Sequence, residues 1–329
     1  MSKPTMNDVA RLAGVSRGTV SNYINGFNLK DQTKLRIEKA IKDLKYIPNL
    51  QARELKTSKN STVVFIVPVS WTPFFSEMVY KMQIALSQAG YKMILANSHA
   101  DPKEEKDILR MATLNQVAGV ITMSYSDISN FIDMAEGLNL VSIEHFVSDK
   151  VPLITSDSYQ GGRIAAKELM QAGCKKVLLL RRKTRRPNAT DVRTKGFLDY
   201  LSGKKIKATV FEASLNDHTY LSEFNTFFKE NMQNDRFLFD GIFSVTDEYA
   251  RAAFNFFSSI RLSNFDKNRL IGFDGSQISP NEPLQFPSIR QNVDKMVKES
   301  VKALLSLIQG TILVKNYKKT IPVNFQKVK

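Results

Sequence analysis

The chain has 329 residues, 43% hydrophobic and 24% charged, the composition of a globular protein long enough for two or three domains. A single cysteine, Cys174, excludes an intramolecular disulfide and a cysteine-based zinc site. The longest apolar run, residues 63–69, is far short of a membrane span of about 20 residues. The polar stretch at residues 1–8 lacks the apolar core of a signal peptide. A cytoplasmic protein with a reduced thiol is therefore expected.

The net charge is +15 and unevenly spread. Residues 1–60 hold 12 Lys/Arg against 5 Asp/Glu, whereas residues 61–329 hold 35 against 27. A dense basic module at the start of the chain points to a polyanion as partner.

Thr5 and Asp8 form a capping-box pair ahead of Val9, Ala10 and Leu12, and Gly14 supplies a left-handed stop. Ser16 can cap a second short helix carrying Val20, Tyr23 and Ile24, ended by Asn25-Gly26. Asp31 can cap a third, with Ile37, Ala40, Ile41 and Leu44 on one face. Two short helices joined by Ala13-Gly14-Val15-Ser16, with a third closing the core, predict a helix-turn-helix whose second helix enters the major groove. Asn49 can cap a further short segment, residues 50–56, too short to be stable as a free helix.

The run MNDVARLAGVSRGTVSNYING at residues 6–26, followed by LKYIPNLQARELKT at residues 44–57, resembles the LacI family of bacterial transcription regulators. The resemblance implies a homodimer in which each head reads one half-site of double-stranded operator DNA. Arg17, Gly18 and Asn22 match base-reading positions. Thr5, Ser16, Thr19, Ser21 and Asn25 match phosphate-holding ones. Leu55 matches the family's minor-groove wedge, flanked by Arg53 and Lys56, on a hinge that folds only on DNA. Asn22 stands where the family usually has arginine and Gly18 has no side chain, so a divergent operator is expected. Arg17 geometrically favours guanine and Asn22 adenine, unless Arg17 serves only as a phosphate contact. The family's expected divisions are a head at 1–48, a hinge and linker at 49–60, and an effector-binding and dimerisation domain at 61–329.

From Val63 onward apolar strands alternate with amphipathic helices. Strands are expected at residues 63–67, 93–96, 117–121, 140–143, 176–180, 208–211, 241–245 and 269–273. Helices are expected from Phe75 to Ala89, near 158–171, 191–201 and 247–260, and at 293–308. Two such series predict two lobes of doubly wound parallel sheet. The resemblance adds a return crossing, as in periplasmic sugar-binding proteins. Lobe one is then about 61–157 plus 289–316, and lobe two about 158–288 plus 317–329. No leucine heptads follow, so no tetramerising tail is expected.

Enzyme signatures are missing. No Gly-rich dinucleotide loop, phosphate-binding loop or nucleophile elbow occurs, and His99, His145 and His218 show no metal spacing. No cofactor or metal is expected. Arg193 in VRTKGF, Asp274 in IGFD, Asp247 in VTDEYA and Phe74-Phe75 in TPFF resemble the family's effector shell, with His145 and Thr246 beside it. Arg and Asp can hold sugar hydroxyls while an aromatic ring covers the apolar face. Thr246 replaces a frequent asparagine. Arg193 and Asp274 could instead form an interlobe salt bridge, and Asp247 could be a helix cap. The basic run at 181–186 reads as a solvated loop, or as a site favouring an anionic effector near the cleft. The function expected is an effector-responsive repressor of a carbohydrate operon, with a sugar or sugar phosphate as effector. The alternatives are a regulator answering to a nucleobase or a protein corepressor, and a sugar receptor with a vestigial head.

Overall fold

The computed structural model describes residues 4–24, 26–47, 60–123, 137–216, 218–277, 279, 281–311 and 316–328. It divides into two units, Met1–Asn60 and Ser61–Lys329.

Among the described residues the first unit has three helices, α1 (Met6–Ala13), α2 (Arg17–Ile24) and α3 (Asp31–Leu44). The capping box forms as the sequence predicts: Thr5 Oγ1 accepts from the Asp8 amide while the Asp8 carboxylate accepts from the Thr5 amide. Gly14 ends α1 at φ 63°, a conformation that glycine adopts without Cβ strain. The third cap differs from expectation. Lys30 is the cap residue of α3 and no side chain caps it, whereas Asp31 lies inside the first turn. There its charge acts on the exposed amides through the helix dipole. Val9, Ala10, Ala13, Val20, Ile37, Ala40 and Tyr46 close a small core, and Tyr23 donates to Glu38 at 2.9 Å to tie α2 to α3.

Among the described residues the second unit contains two six-stranded sheets. The first, in the order β13-β5-β4-β3-β1-β2, is parallel throughout. Its strands are β1 (Thr62–Val67), β2 (Lys92–Asn97), β3 (Gly119–Thr122), β4 (Leu140–Ile143), β5 (Leu153–Ser156) and β13 (Lys318–Ile321). Helices α4 (Pro73–Gln88) and α5 (Pro102–Leu114) connect strands of this lobe. The second sheet has the order β14-β12-β11-β10-β6-β7. It comprises β6 (Lys176–Arg182), β7 (Lys207–Ala213), β10 (Gly241–Ser244), β11 (Leu270–Asp274), β12 (Ser288–Arg290) and an antiparallel edge, β14 (Asn324–Gln326). Helices α6 (Ser158–Gln171), α7 (Ala189–Leu201), α8 (Tyr220–Glu230) and α9 (Asp247–Ser259) belong to it. A short hairpin, β8 (Met232–Gln233) with β9 (Arg236–Phe237), follows α8. The final helix, α10 (Val293–Ile308), packs its buried face into the core of the first lobe.

Both lobes are doubly wound, and the return crossing exists. Its bounds are later than the sequence suggests. β12 pairs with β11 in lobe two, and β13 pairs with β5 in lobe one. The chain therefore crosses at 291–292 and again at 322–323, rather than at 288–289 and 316–317. These terminal strands are only three or four residues long, too short to declare a periodicity.

Candidate functional site

The outer face of α2 follows from its buried one. Val20 faces the core, Gly18 and Asn22 lie on the opposite side of the helix, and Arg17 is exposed in its first turn. Thr19 and Ser21 are half-buried along the flank. Ser16 Oγ accepts from the Thr19 amide at 3.1 Å and shares a hydrogen with Thr19 Oγ1 at 2.9 Å. Thr5 Oγ1 donates to Asp8 at 2.7 Å. The Thr5 and Ser16 hydroxyls, two of the four expected to hold phosphates, thus also hold helix starts. Asn25, Arg53, Leu55 and Lys56 lie outside the described residues.

The second constellation lies at the carboxyl ends of the strands of the two-lobed unit, where open α/β sheets bind ligands. Arg193, on α7, is only 4% exposed. Its Nη1 donates to the Val245 carbonyl at 2.7 Å and lies 3.5 Å from Asp274 Oδ1, while its guanidinium covers the Phe273 ring at 3.7 Å. Helix packing puts it there. Gly162 on α6 and Gly196 on α7 let the two helices touch backbone to backbone, and Phe197 stacks on Phe243 at 4.8 Å. The R-x-x-G-F spacing has a physical reading: the arginine enters the site, the glycine admits the neighbouring helix, and the phenylalanine anchors both.

Asp274 ends β11 at φ 122°, a strained angle for a residue with a Cβ. It accepts from Gln291 Nε2 at 2.7 Å. Gln291 in turn accepts from Ser156 Oγ at 2.6 Å, and the Ser156 amide donates to Glu144 Oε1 at 2.6 Å. Asp247 accepts from Ser288 Oγ at 2.5 Å and from the Ser276 amide at 2.8 Å. Ser276 Oγ, buried without a partner, lines a cavity of about 20 Å³ beside Asp247, room for about one water.

The buried Asp274 and Glu144 thus share the field of Arg193, while Asp247, beside Asp274, feels Arg251. Burial pushes Asp247 up, and the nearby Asp274 charge adds to it. Burial also raises Asp274 and Glu144, although Arg193 pulls both the other way.

The structure brings Arg193, Asp247 and Asp274 together and settles two alternatives. Arg193 and Asp274 both belong to lobe two, so theirs is not an interlobe bridge. Thr246 is the cap of α9, accepting from Tyr249, and leaves the Asp247 carboxylate for Ser288 and Ser276. His145 follows Glu144 at the end of β4, and its carbonyl accepts from the Ser142 hydroxyl. Phe74 and Phe75 are buried in the core of lobe one and meet edge to face at 5.4 Å. The aromatic residue displayed at that strand end is Trp71, 82% exposed after β1. Sequence reasoning missed Glu144, Ser156 and Gln291. Only Glu144 carries a signal, a polar residue directly after the strand Leu140–Ile143; Ser156 ends β5 and Gln291 follows the short strand Ser288–Arg290.

The basic run departs from a solvated loop in its first half. Arg181 is buried, donating to Thr194 at 3.1 Å and pairing with Glu212 at 2.9 Å, and Arg182 covers the Tyr220 ring at 4.3 Å. Among the described residues no group of three or more His, Cys, Asp and Glu side chains could hold a metal, and no helix is long and apolar enough to cross a membrane.

Comparison with known proteins agrees with this architecture. Residues 5–49 match the bacterial regulatory proteins of the lacI family, and residues 60–224 match the periplasmic binding proteins and sugar binding domain of the LacI family. The sucrose operon repressor of Pediococcus pentosaceus is 32% identical over 99% of this chain and 98% of its own length. The ribose operon repressor of Bacillus subtilis is 29% identical over 93% and 92%. The crystal structure of the lac repressor dimer bound to operator and an anti-inducer superposes with a TM-score of 0.78 at 21% identity, covering 100% of this chain and 99% of that one. The chain belongs to the LacI family of bacterial regulatory proteins and is a DNA-binding transcription regulator, not an enzyme.

Proposed function

We propose that the protein is the cytoplasmic repressor of a carbohydrate-utilisation operon. It binds its operator through α2 as a homodimer and answers to a sugar held by Arg193, Asp274, Asp247 and Glu144. The observation that carries this reading is the pairing, in one chain, of an exposed Arg17/Asn22 recognition face with a buried arginine–carboxylate site at the strand ends. The full-length relatedness to sucrose and ribose operon repressors supports sugar as the effector class. Exposed Ile94 and Leu95 on the edge strand β2, with Tyr80 and Ile84 on α4, supply apolar surface for a second copy. The same reading places Leu55, with Arg53 and Lys56 beside it, at the minor groove of the operator.

The test is fluorescence anisotropy of the full chain on DNA from its own upstream region, with sugars added. Specific binding that one sugar weakens is expected. Arg193→Ala should retain operator binding and lose the sugar response, because truncating a buried charged contact removes several kcal/mol of interaction. An Arg193→Ala protein released at the same sugar concentration as the natural chain refutes the site.

A further inference from the structure

β7 is the outer strand of the second sheet, and among the described residues no strand pairs with its far edge. It joins β6 residue for residue from Lys207 to Ala213, so no bulge interrupts it, and it holds no proline. The direction of its backbone groups follows from its two ends. The Lys207 amide donates inward to the Lys175 carbonyl, and the Ala213 carbonyl accepts inward from the Lys183 amide. In a parallel ladder the N–H and C=O of one residue point to the same side, and the side alternates along the strand. Ala208, Val210 and Glu212 therefore turn theirs away from the sheet. Such a row is a template for one more strand.

A groove of about 320 Å³ runs between this strand and α8, within the size range of ligand clefts. Its apolar lining is aromatic: Phe211 of β7 stacks on Phe227 of α8 at 4.1 Å. Its charged lining is acidic: Glu212, Glu223 and Glu230 contribute to it, and no lysine or arginine does. In a chain of net charge +15, this is a local reversal of sign. Glu212 pairs with Arg181 at 2.9 Å. Glu223 accepts from the Ser214 amide at 2.7 Å and the Thr219 hydroxyl at 2.8 Å. The bonds from Ser214 hold its carboxyl below the ordinary value. Glu230 is exposed at the end of α8.

We propose that β7 and this groove dock an extended, lysine- or arginine-bearing segment of a partner protein, added to the sheet as a further strand. The chemistry of the occupant follows from three features that lie side by side. Its backbone meets the N–H and C=O groups that Ala208, Val210 and Glu212 present. Its cationic heads meet the carboxylates of α8 and β7. Its alkyl stems lie on the Phe211–Phe227 pair and on Val210, 41% exposed. In such strand addition the main-chain bonds supply affinity and alternate side chains supply selectivity. Nucleic acid, the ligand of the head, has the wrong charge for a groove lined by glutamates.

The experiment is fluorescence anisotropy of the full chain with a labelled octapeptide of alternating lysine and valine, compared with one of alternating glutamate and valine. The cationic peptide should bind at least about tenfold more tightly, and the preference should shrink as salt rises from about 0.05 to 0.5 M. Val210→Pro removes one outward N–H and no bond of the sheet, a change that edge strands tolerate. It should weaken the cationic peptide about tenfold or more and leave operator binding unchanged. Glu230→Lys should weaken the same peptide severalfold. N-methylation of every peptide amide leaves the protein untouched and should abolish binding, so the test stands even if Val210→Pro does not fold. No binding of the cationic peptide up to about 1 mM, equal binding of the acidic one, or binding that survives N-methylation overturns the proposal. A homodimer that dissociates on Val210→Pro in sedimentation also overturns it, by giving the edge to a second copy of the chain.

Discussion

Replacing Gly196 by alanine perturbs the packing that places the site's arginine. A methyl group at 196 would stand 2.0 Å from the Tyr159 carbonyl oxygen, and one at 162 would stand 2.0 Å from the Arg193 carbonyl oxygen. Both obstacles are backbone, which cannot swing aside. Ordinary contact begins near 3.4 Å, so α7 must withdraw from α6 by more than an ångström. Arg193 lies one turn earlier on the same helix. A displacement of that size takes its Nη1, now 2.7 Å from the Val245 carbonyl, out of hydrogen-bonding range. Overpacking costs about 1–3 kcal/mol, and losing a hydrogen bond to a charged group costs about 1.5–3 kcal/mol more. Urea unfolding of Gly196→Ala should show a loss of about 2.5–6 kcal/mol, and effector titration a drop of about tenfold or more. A variant within about 0.5 kcal/mol of the natural chain, with unchanged effector affinity, would show that the helices do not rely on backbone contact.

Two further outcomes follow from the site geometries. Arg17→Ala should cost about 1–3 kcal/mol in operator affinity and relax specificity at one base pair per half-site; equal weakening on all sequences in a mutated-operator panel would make Arg17 a phosphate contact. Asp247 and Asp274 have folded-state values above the ordinary aspartate value near 4. The folded state therefore binds more protons than the unfolded one, and stability contributed by these groups is present in acid and falls as pH rises from about 4 into the neutral range. Asp247→Asn should flatten that slope in urea titrations across pH, and an unchanged slope would remove Asp247 as its source.

The parts legible in the sequence are those where one local rule decides. The capping box, the Gly14 stop and the alternation of β1, α4, β4 and α6 each follow from local spacing and turn chemistry. The short strands β12, β13 and β14 were not legible, because their pairing is fixed by where the chain crosses between lobes and not by their own pattern. The same holds in the site. Arg193, Asp247 and Asp274 could be named from motif spacing, but Glu144, Ser156 and Gln291 are brought together only by folding, from three separate strand ends. Phe74-Phe75 shows the converse ambiguity. An aromatic pair beside a cleft reads as a ligand platform, yet at the first turn of an amphipathic helix such residues face inward with Met78 and Met82.

The placement of the polar network bears on how a ligand could be felt beyond its pocket. Ser156 ends β5 just before one crossing between the lobes, and Gln291 lies at the next. Their hydrogen bond joins two crossings directly, and Gln291 carries it on to Asp274 and so to Arg193. Next to Gln291, Arg290 of lobe two grips Glu77 of α4 in lobe one through both carboxylate oxygens, at 2.8 and 2.5 Å. Burial disfavours the Glu77 charge, but Arg290 and Lys81 outweigh it and hold the carboxyl below its ordinary value. The lobes are thus joined by directional bonds at the crossings themselves. A ligand hydroxyl that competes for Asp274 must change the bonding of Gln291, and Gln291 cannot move without disturbing either Ser156 or its neighbour Arg290. Such bonds are short-ranged and have few alternative geometries. Under the proposed function, a sugar bound at Asp274 would be coupled to the relative setting of the two lobes through discrete rearrangements, the kind of bistable element that an allosteric response requires.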